Sequence, residues 1–134
     1  MKELELEAKV ENLETVISFV DEILEQADCP MKVQVQIDIA VEEIFVNIAH
    51  YAYHPKVGKA AIRVEVTDRT ATFTFVDSGI PYNPLAKEDP DVTLSAEERR
   101  IGGLGIYMVK KSMDDISYMY QDGKNILTFS KYMG

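Results

Sequence analysis

Apolar residues along this chain recur at two spacings, and each spacing predicts one kind of secondary structure. Alternation of apolar and polar residues is typical of a strand with one buried face, whereas spacings of three and four are typical of a helix. Short polar turns at Asp68-Arg69 and Asp122-Gly123 separate two pairs of alternating runs, which predicts two hairpins. The pattern predicts, in order, a strand at 3–8, helices at 12–26 and 33–53, strands at 61–67 and 70–76, a helix at 106–113, and strands at 116–120 and 126–131.

Length and composition restrict the class of protein. The chain has 134 residues, the usual size of one domain, with 46% hydrophobic and 28% charged residues. We therefore expect residues 1–134 to form a single domain around one core. No apolar run approaches the ~20 residues that a membrane span requires, and the first residues lack the pattern of a signal peptide. We expect a cytoplasmic protein that does not attach to a membrane, in which the lone Cys29 is a small buried hydrophobe.

The charge balance bears on the ligand. Fourteen Lys and Arg against 23 Asp and Glu give a net charge of −9. Because affinity for nucleic acid comes from basic patches, this balance argues against direct binding of nucleic acid. An anionic ligand would have to be held by backbone amides, a cation and a few local basic side chains.

The strand at 70–76 is followed by a carboxylate that shares a face with two aromatic residues. Phe73, Phe75 and Asp77 alternate, so Asp77 points inward if the phenylalanines pack in the core. A buried carboxylate is costly unless a group donates hydrogen bonds to it, and a ligand is one such donor. The amino group of adenine fits Asp77, whereas the carbonyl of guanine would be repelled, and Gly79 leaves room for a flat base. The alternative is that Asp-Ser-Gly forms an ordinary turn.

A polar stripe runs along the second long helix. Glu43 and Asn47 are four residues apart and therefore share a face, which His50 and His54 extend. Mg²⁺ prefers oxygen ligands and commonly takes only one or two from the protein, so Asn47 is the candidate ligand. Glu43, one turn earlier, is the candidate general base. The alternative is a solvated helix face, and two histidines with one cysteine do not favour a zinc site.

A glycine-rich turn precedes the third helix. Backbone amides of Gly102-Gly103-Leu104-Gly105 can approach an anion closely, and the helix that follows points the positive end of its dipole at the same place. The turn has neither the lysine of a Walker loop nor the spacing of a dinucleotide fingerprint. Basic residues flank it and could reach phosphates, with Lys110 the preferred candidate, although solvation at the surface is the alternative for each: Arg99, Arg100, Lys110 and Lys111.

Three segments, read in order, resemble the N, G1 and G2 boxes of the ATPase family shared by gyrase, Hsp90, histidine kinases and MutL. They are Glu42-Glu43-Ile44-Phe45-Val46-Asn47, Asp77-Ser78-Gly79-Ile80-Pro81 and Gly102-Gly103-Leu104-Gly105-Ile106. Residues 48–53, Ile-Ala-His-Tyr-Ala-Tyr, and residues 113–115, Met-Asp-Asp, make the chain similar to bacterial anti-sigma factor serine kinases.

The resemblance implies an α/β fold, a two-layer sandwich of a mixed, mostly antiparallel sheet with helices on one face, and the cofactors ATP and Mg²⁺. Residues 82–101 match the ATP lid of that family. Glu43 is preferred to Glu42 because only Glu43 shares a face with Asn47. The implied roles are a general base at Glu43, a Mg²⁺ ligand at Asn47, adenine contacts at Asp77, Gly79 and Thr128, and phosphate contacts at Gly103 and Gly105.

The resemblance also implies an activity. Members of that family phosphorylate a serine on a small anti-anti-sigma (STAS-type) protein, bind a sigma factor and are commonly homodimers. One alternative is a non-catalytic module in which the nucleotide sets the affinity for a regulatory partner. The detached catalytic domain of a histidine kinase and a fragment of a DNA-handling ATPase are disfavoured, because no phosphoacceptor helix pair precedes the domain and the length leaves no room for a transducer domain.

Overall fold

The computed structural model describes residues 1–86 and 103–134 of the chain. The strands are β1 (Lys2–Glu7), β2 (Lys59–Thr67), β3 (Thr70–Asp77), β4 (Asp115–Gln121) and β5 (Lys124–Tyr132). The α-helices are α1 (Leu13–Gln26), α2 (Met31–Asn47) and α3 (Gly103–Ser112). Short 3₁₀ turns at Val10–Asn12 and Pro84–Ala86 and a π turn at Ile48–Ala52 complete the secondary structure of the described residues.

The five strands form one sheet in the order β1-β2-β3-β5-β4, and all four pairings are antiparallel. The two predicted hairpins are present. Asp68, Arg69, Asp122 and Gly123 all have positive φ angles, between 51° and 76°, as expected for tight two-residue turns that match the twist of the flanking strands. In this register Asp77 of β3 stands opposite Asn125 of β5.

The core lies between the helices and one face of the sheet. The rings of Phe73 and Phe129 stack with their centroids 5.0 Å apart, and Phe75 lies 6.0 Å from Phe129. Helix α1 adds side chains spaced by four residues, which place one stripe of the helix on the sheet: Val16, Val20 and Leu24. This arrangement is the two-layer α/β sandwich that the sequence predicts, with its helices packed on one face.

The main difference from the sequence prediction concerns the end of the second long helix. Regular α-helix stops at Asn47, and the chain continues to Ala52 as a π turn instead of as α-helix to Tyr53. The carbonyl oxygen of Ala52 is engaged by the backbone N–H of Ile80 at 2.9 Å. Wider turns of this kind are rare and occur often at functional sites. The π turn begins directly after the candidate metal ligand Asn47.

Two other sequence predictions can be compared with the described residues. Helix α3 begins at Gly103, three residues before the predicted start, so part of the glycine-rich turn is helical. Most of the segment at 82–101, which matches the ATP lid of the ATPase family, lies outside the described residues. In both described ranges, every helix is too short or too polar to cross a bilayer.

Candidate functional site

A cleft of about 50 Å³ separates the end of α2 from strands β3, β5 and β4. Its walls are mostly apolar and carry a few polar side chains, a composition typical of small-molecule sites. Ile44, Ile48, Phe75 and Leu127 belong to the apolar part. The polar groups come from both layers of the sandwich: Asn47, Asp77, Tyr118 and Asn125.

Asp77 is buried, with 6% of its surface exposed, and it faces the helices as the strand periodicity predicts. Two donors hold its Oδ1 atom, the backbone N–H of Gly79 at 2.9 Å and the Asn125 Nδ2 group at 2.9 Å. Among the described residues, no hydrogen bond reaches the Oδ2 atom of Asp77. A ligand in the cleft therefore meets a carboxylate whose second oxygen remains an available acceptor.

Asn125 is a residue of the cleft that the sequence analysis missed. Its amide is 7% exposed, and it bonds Asp77, the carbonyl of Ile80 at 2.9 Å and the backbone N–H of Tyr82 at 3.1 Å. The sequence prediction began the last strand at 126, which left Asn125 in the turn. Extending the alternation of Phe129 and Leu127 back by two residues would have placed Asn125 on the core face.

Gly79 is required by its contact with the π turn. A Cβ atom at Gly79 would lie 2.2 Å from the backbone oxygen of Ala52 and 2.6 Å from its carbonyl carbon. The sequence predicts that this glycine leaves room for a flat base. In the structure, the space beside Gly79 is taken by the backbone of Ala52, so the glycine allows β3 and the π turn to approach each other.

Glu43 and Asn47 meet on α2 as their spacing predicts. The Asn47 Nδ2 group donates to Glu43 Oε1 at 3.2 Å, whereas Glu42 is exposed. Burial raises the pKa of Glu43, and the negative charge of Glu42 adds to the increase, while the hydrogen bond from Asn47 opposes it. Asn47 lines the cleft that contains Asp77, whereas Glu43 lines a separate depression together with Gly105. The hydrogen bond between Asn47 and Glu43 connects the two.

The glycine-rich start of α3 comes directly against Glu43. A Cβ atom at Gly105 would lie 2.2–2.3 Å from the carboxylate atoms of Glu43. Gly103 is the first residue of α3, and the positive end of the helix dipole lies there. Gly102 and the side chain of Leu104 lie outside the described part of the chain. The fold thus joins two motifs that are about 60 residues apart in sequence.

Among the described residues, Thr128 and Lys110 line neither this cleft nor the depression beside Glu43 and Gly105. Thr128 lies on the opposite face of β5 from Asn125 and Leu127, and its Oγ1 is 3.5 Å from Oγ1 of Thr74. The interpretation of Thr128 as an adenine contact is therefore corrected, because successive side chains of a strand point to opposite faces. Lys110 lies about two turns into α3 and is not among the described residues that line the cleft.

The chain belongs to the histidine kinase-like ATPase domain family, whose sequence pattern matches residues 6–131. Among curated proteins, it is 31% identical over 99 residues to the serine-protein kinase RsbW of Bacillus cereus (strain AH820) and to that of Bacillus thuringiensis (strain Al Hakam). Each match covers 71% of this chain and 61% of the relative, so the chain aligns with about three fifths of these proteins.

Two solved structures share the fold. The RsbU and RsbW domains of a Mycobacterium tuberculosis protein superpose with a TM-score of 0.67 at 15% identity, covering 99% of this chain and 33% of that one. The Acinetobacter baumannii histidine kinase AdeS superposes with a TM-score of 0.53 at 16% identity, covering 100% of this chain and 70% of that one. The resemblance inferred from the sequence motifs is confirmed at the level of family and fold.

Proposed function

We propose that this chain binds ATP with Mg²⁺ and transfers the terminal phosphate to a serine of a partner protein. The observation that carries the proposal is the position of Asn47 between two carboxylates. Asn47 lines the same cleft as the buried Asp77, whose second oxygen is an open acceptor. It also bonds Glu43, which lies against Gly105 near the start of α3. In a nucleotide, the base needs a hydrogen-bond acceptor such as Asp77, and the phosphates need the amides at the start of a helix.

The base end would hold adenine. The Oδ2 atom of Asp77 accepts a hydrogen bond, and the 6-amino group of adenine donates one. Guanine has a carbonyl at this position, which would face the carboxylate and leave both acceptors unpaired. Ile44, Ile48 and Leu127 supply apolar surface for the two faces of the ring.

The phosphate end would use Asn47, Gly103, Gly105 and the dipole of α3. The amide nitrogen of Asn47 is engaged with Glu43, which leaves the oxygen as a ligand for the cation. One amide oxygen with water and phosphate oxygens is a donor set that Mg²⁺ accepts. Mg²⁺ would neutralise the phosphate charge during transfer. The backbone amides at the start of α3 would bind phosphate oxygens, which offsets the net charge of −9 on the chain.

Glu43 would act as the general base. It would accept the proton of the serine hydroxyl as the oxygen bonds the terminal phosphorus, and ADP would leave with the electrons of the broken bond. Its raised pKa makes Glu43 a stronger base than an exposed glutamate. Positioning of the two reactants would provide most of the remaining acceleration.

The substrate would be an anti-anti-sigma (STAS-type) protein, and the chain would act in the cytoplasm as a homodimer that also binds a sigma factor. The family resemblance and the name of the relatives, serine-protein kinase, support this assignment. The alternative is a nucleotide-dependent interaction module without transfer. It is favoured by the close contact between Gly105 and Glu43, which leaves little space for a hydroxyl in this conformation.

A transfer assay separates the two functions. The chain is incubated with Mg²⁺, ATP labelled on its terminal phosphate and a purified anti-anti-sigma protein. We expect Glu43→Gln to slow transfer by about 10² to 10⁴-fold with a nearly unchanged Kd for ATP, since the side chain keeps its shape and loses only its basicity. Glu42→Gln is the matched control, because Glu42 is exposed and should change the rate by less than about threefold.

The possible results are distinct. Transfer by the wild type that is lost in Glu43→Gln and kept in Glu42→Gln supports the kinase. Binding of ATP without transfer to the partner supports the interaction module. Absence of ATP binding in calorimetry with Mg²⁺ present would contradict both functions.

A further inference from the structure

We propose that Asn125 is a positioning residue that fixes the carboxylate of Asp77 and thereby makes the cleft selective for adenine. The inference rests on the proposed binding of ATP and adds a determinant of specificity. The role does not require Asn125 to contact the base, since it acts through the atom of Asp77 that Asn125 leaves open.

The hydrogen bonds define the orientation of the Asn125 amide. An asparagine side chain has two N–H donors and an oxygen that can accept two bonds. The Nδ2 group donates to Asp77 Oδ1 and to the carbonyl oxygen of Ile80, both at 2.9 Å. The Oδ1 atom accepts from the backbone N–H of Tyr82 at 3.1 Å and from the Tyr118 hydroxyl. All four positions are used, and a flipped amide would face two acceptors with its oxygen.

The consequence for Asp77 follows from the count of donors. Asn125 and the N–H of Gly79 both bond Oδ1, so the carboxylate cannot rotate without losing two hydrogen bonds in a buried site. The Oδ2 atom is therefore left as an acceptor for a ligand in the cleft, which matches the amino group of adenine and repels a carbonyl.

Replacing Asn125 by aspartate should change the hydrogen-bonding character of Asp77. The new carboxylate would face Asp77 directly across the strand pair, because Asn125 is the register partner of Asp77. Two carboxylates in contact in a buried site share one proton, since both cannot ionise. When this proton resides on Oδ2 of Asp77, that atom becomes an O–H donor and can bond the 6-carbonyl of hypoxanthine or guanine. The preference for adenine would then decrease because the hydrogen-bonding group has changed, and not because the fold is lost.

The experiment measures Kd values for ATP and ITP with Mg²⁺ by calorimetry. ITP has a carbonyl where ATP has the amino group and lacks the 2-amino group of guanine. We expect the wild type to prefer ATP by at least about 100-fold. In Asn125→Asp the ratio should fall by about tenfold or more, with weaker ATP binding and tighter ITP binding. Tighter ITP binding is a result that general damage to the fold cannot produce.

Two further variants keep the test decisive. Thr128→Val changes the opposite face of the same strand and should leave the ratio of Kd values unchanged. Tyr118→Phe removes one donor from the oxygen of Asn125 and should lower the ratio by about threefold, because one neutral hydrogen bond contributes about 1 kcal/mol. If Asn125→Asp does not fold, the response of Tyr118→Phe decides the matter.

The outcomes separate this inference from the proposed function. If the wild type prefers ATP and neither variant changes the ratio of Kd values, Asn125 has no role in selectivity, although ATP binding stands. If the wild type binds ATP and ITP equally, Asp77 does not select the base and the inference is wrong. If the wild type binds neither nucleotide, the proposed function and this inference are both wrong.

Discussion

The two carboxylates of the candidate site, Asp77 and Glu43, are held in different ways. At the base end, Asp77 lies on a strand in the middle of the sheet, and Asn125 and Gly79 bond the same oxygen at 2.9 Å. At the phosphate end, Glu43 lies on a helix, is half-buried, and among the described residues accepts only one bond, a longer one of 3.2 Å from Asn47. Recognition of a base requires a fixed acceptor, whereas a general base must gain and release a proton. Under the proposed function, the strand would meet the first requirement and the helix the second.

Gly79 and Gly105 also differ in how rigid the group beside each of them is. A Cβ atom at Gly79 would meet the backbone of Ala52 at 2.2 Å, and a Cβ atom at Gly105 would meet the end of the Glu43 side chain at the same distance. Backbone in a π turn cannot yield without losing its hydrogen bonds, whereas a glutamate can rotate away. Although the added Cβ atoms would approach their neighbours equally closely, substitution of Gly79 should therefore destabilise the fold more than substitution of Gly105.

The largest effect is expected from Asp77→Asn. The amide oxygen would keep the bonds to Gly79 and Asn125, so the amide nitrogen would point at the amino group of adenine and two donors would face each other. Loss of a hydrogen bond to a charged group costs about 1.5–3 kcal/mol, which corresponds to about a 10- to 150-fold weaker Kd for ATP. Calorimetry measures the change, and Glu43→Gln serves as the comparison. Equal losses of affinity in the two variants would refute the division of the candidate site into a base end and a phosphate end.

The next effect is the difference between Gly79→Ala and Gly105→Ala. We expect Gly79→Ala to lower the free energy of unfolding by about 1–3 kcal/mol, because the backbone of Ala52 has to move. Gly105→Ala should lower it by less than about 1 kcal/mol and should instead slow phosphate transfer, because the Glu43 carboxylate is displaced. Urea unfolding followed by circular dichroism measures the first quantity and the transfer assay the second. A larger loss of stability in Gly105→Ala would contradict the explanation.

The smallest effect concerns a third carboxylate, which lacks the donors that hold Asp77. Asp38 on α2 faces Asp21 on α1, and one oxygen of each is buried without a donor from any described residue. Burial raises the pKa of Asp38 to about 8, and the hydrogen bond and charge of Asp21 and the charge of Glu25 add to the increase. One proton shared by the pair accounts for this bond.

The sign of the pH dependence follows from this raised pKa. The folded chain binds a proton on Asp38 that the unfolded chain has lost, so the contribution to stability is complete below about pH 4 and is lost as the pH rises to about 8. Asp38→Asn carries no such proton. We expect the melting temperature of Asp38→Asn, relative to that of the wild type, to increase as the pH is raised from about 5 to about 8. Asp28→Asn is the control, because Asp28 is exposed. A difference between Asp38→Asn and the wild type that stays constant with pH would show that Asp38 is ionised in the folded chain.

Much of the fold could be predicted from local sequence. All five strands and three helices of the described residues match predicted segments, and the inward direction of Asp77 follows from a period of two. The pairing of Glu43 with Asn47 follows from a spacing of four. The predictions that failed lie at the ends of elements, where periodicity gives no signal. The α-helix predicted to reach residue 53 ends at Asn47, and β5 begins at Lys124 instead of at residue 126.

The sequence by itself determined which residues form each strand and helix and which way their side chains point, because both depend on neighbours within a few positions along the chain. Only the tertiary structure decided that Asn125 stands opposite Asp77, that Ala52 fills the space beside Gly79, and that Gly105 lies against Glu43. These contacts join segments separated by about 30 to 60 residues. They depend on strand register and on the packing of the helices against the sheet, which no local pattern encodes.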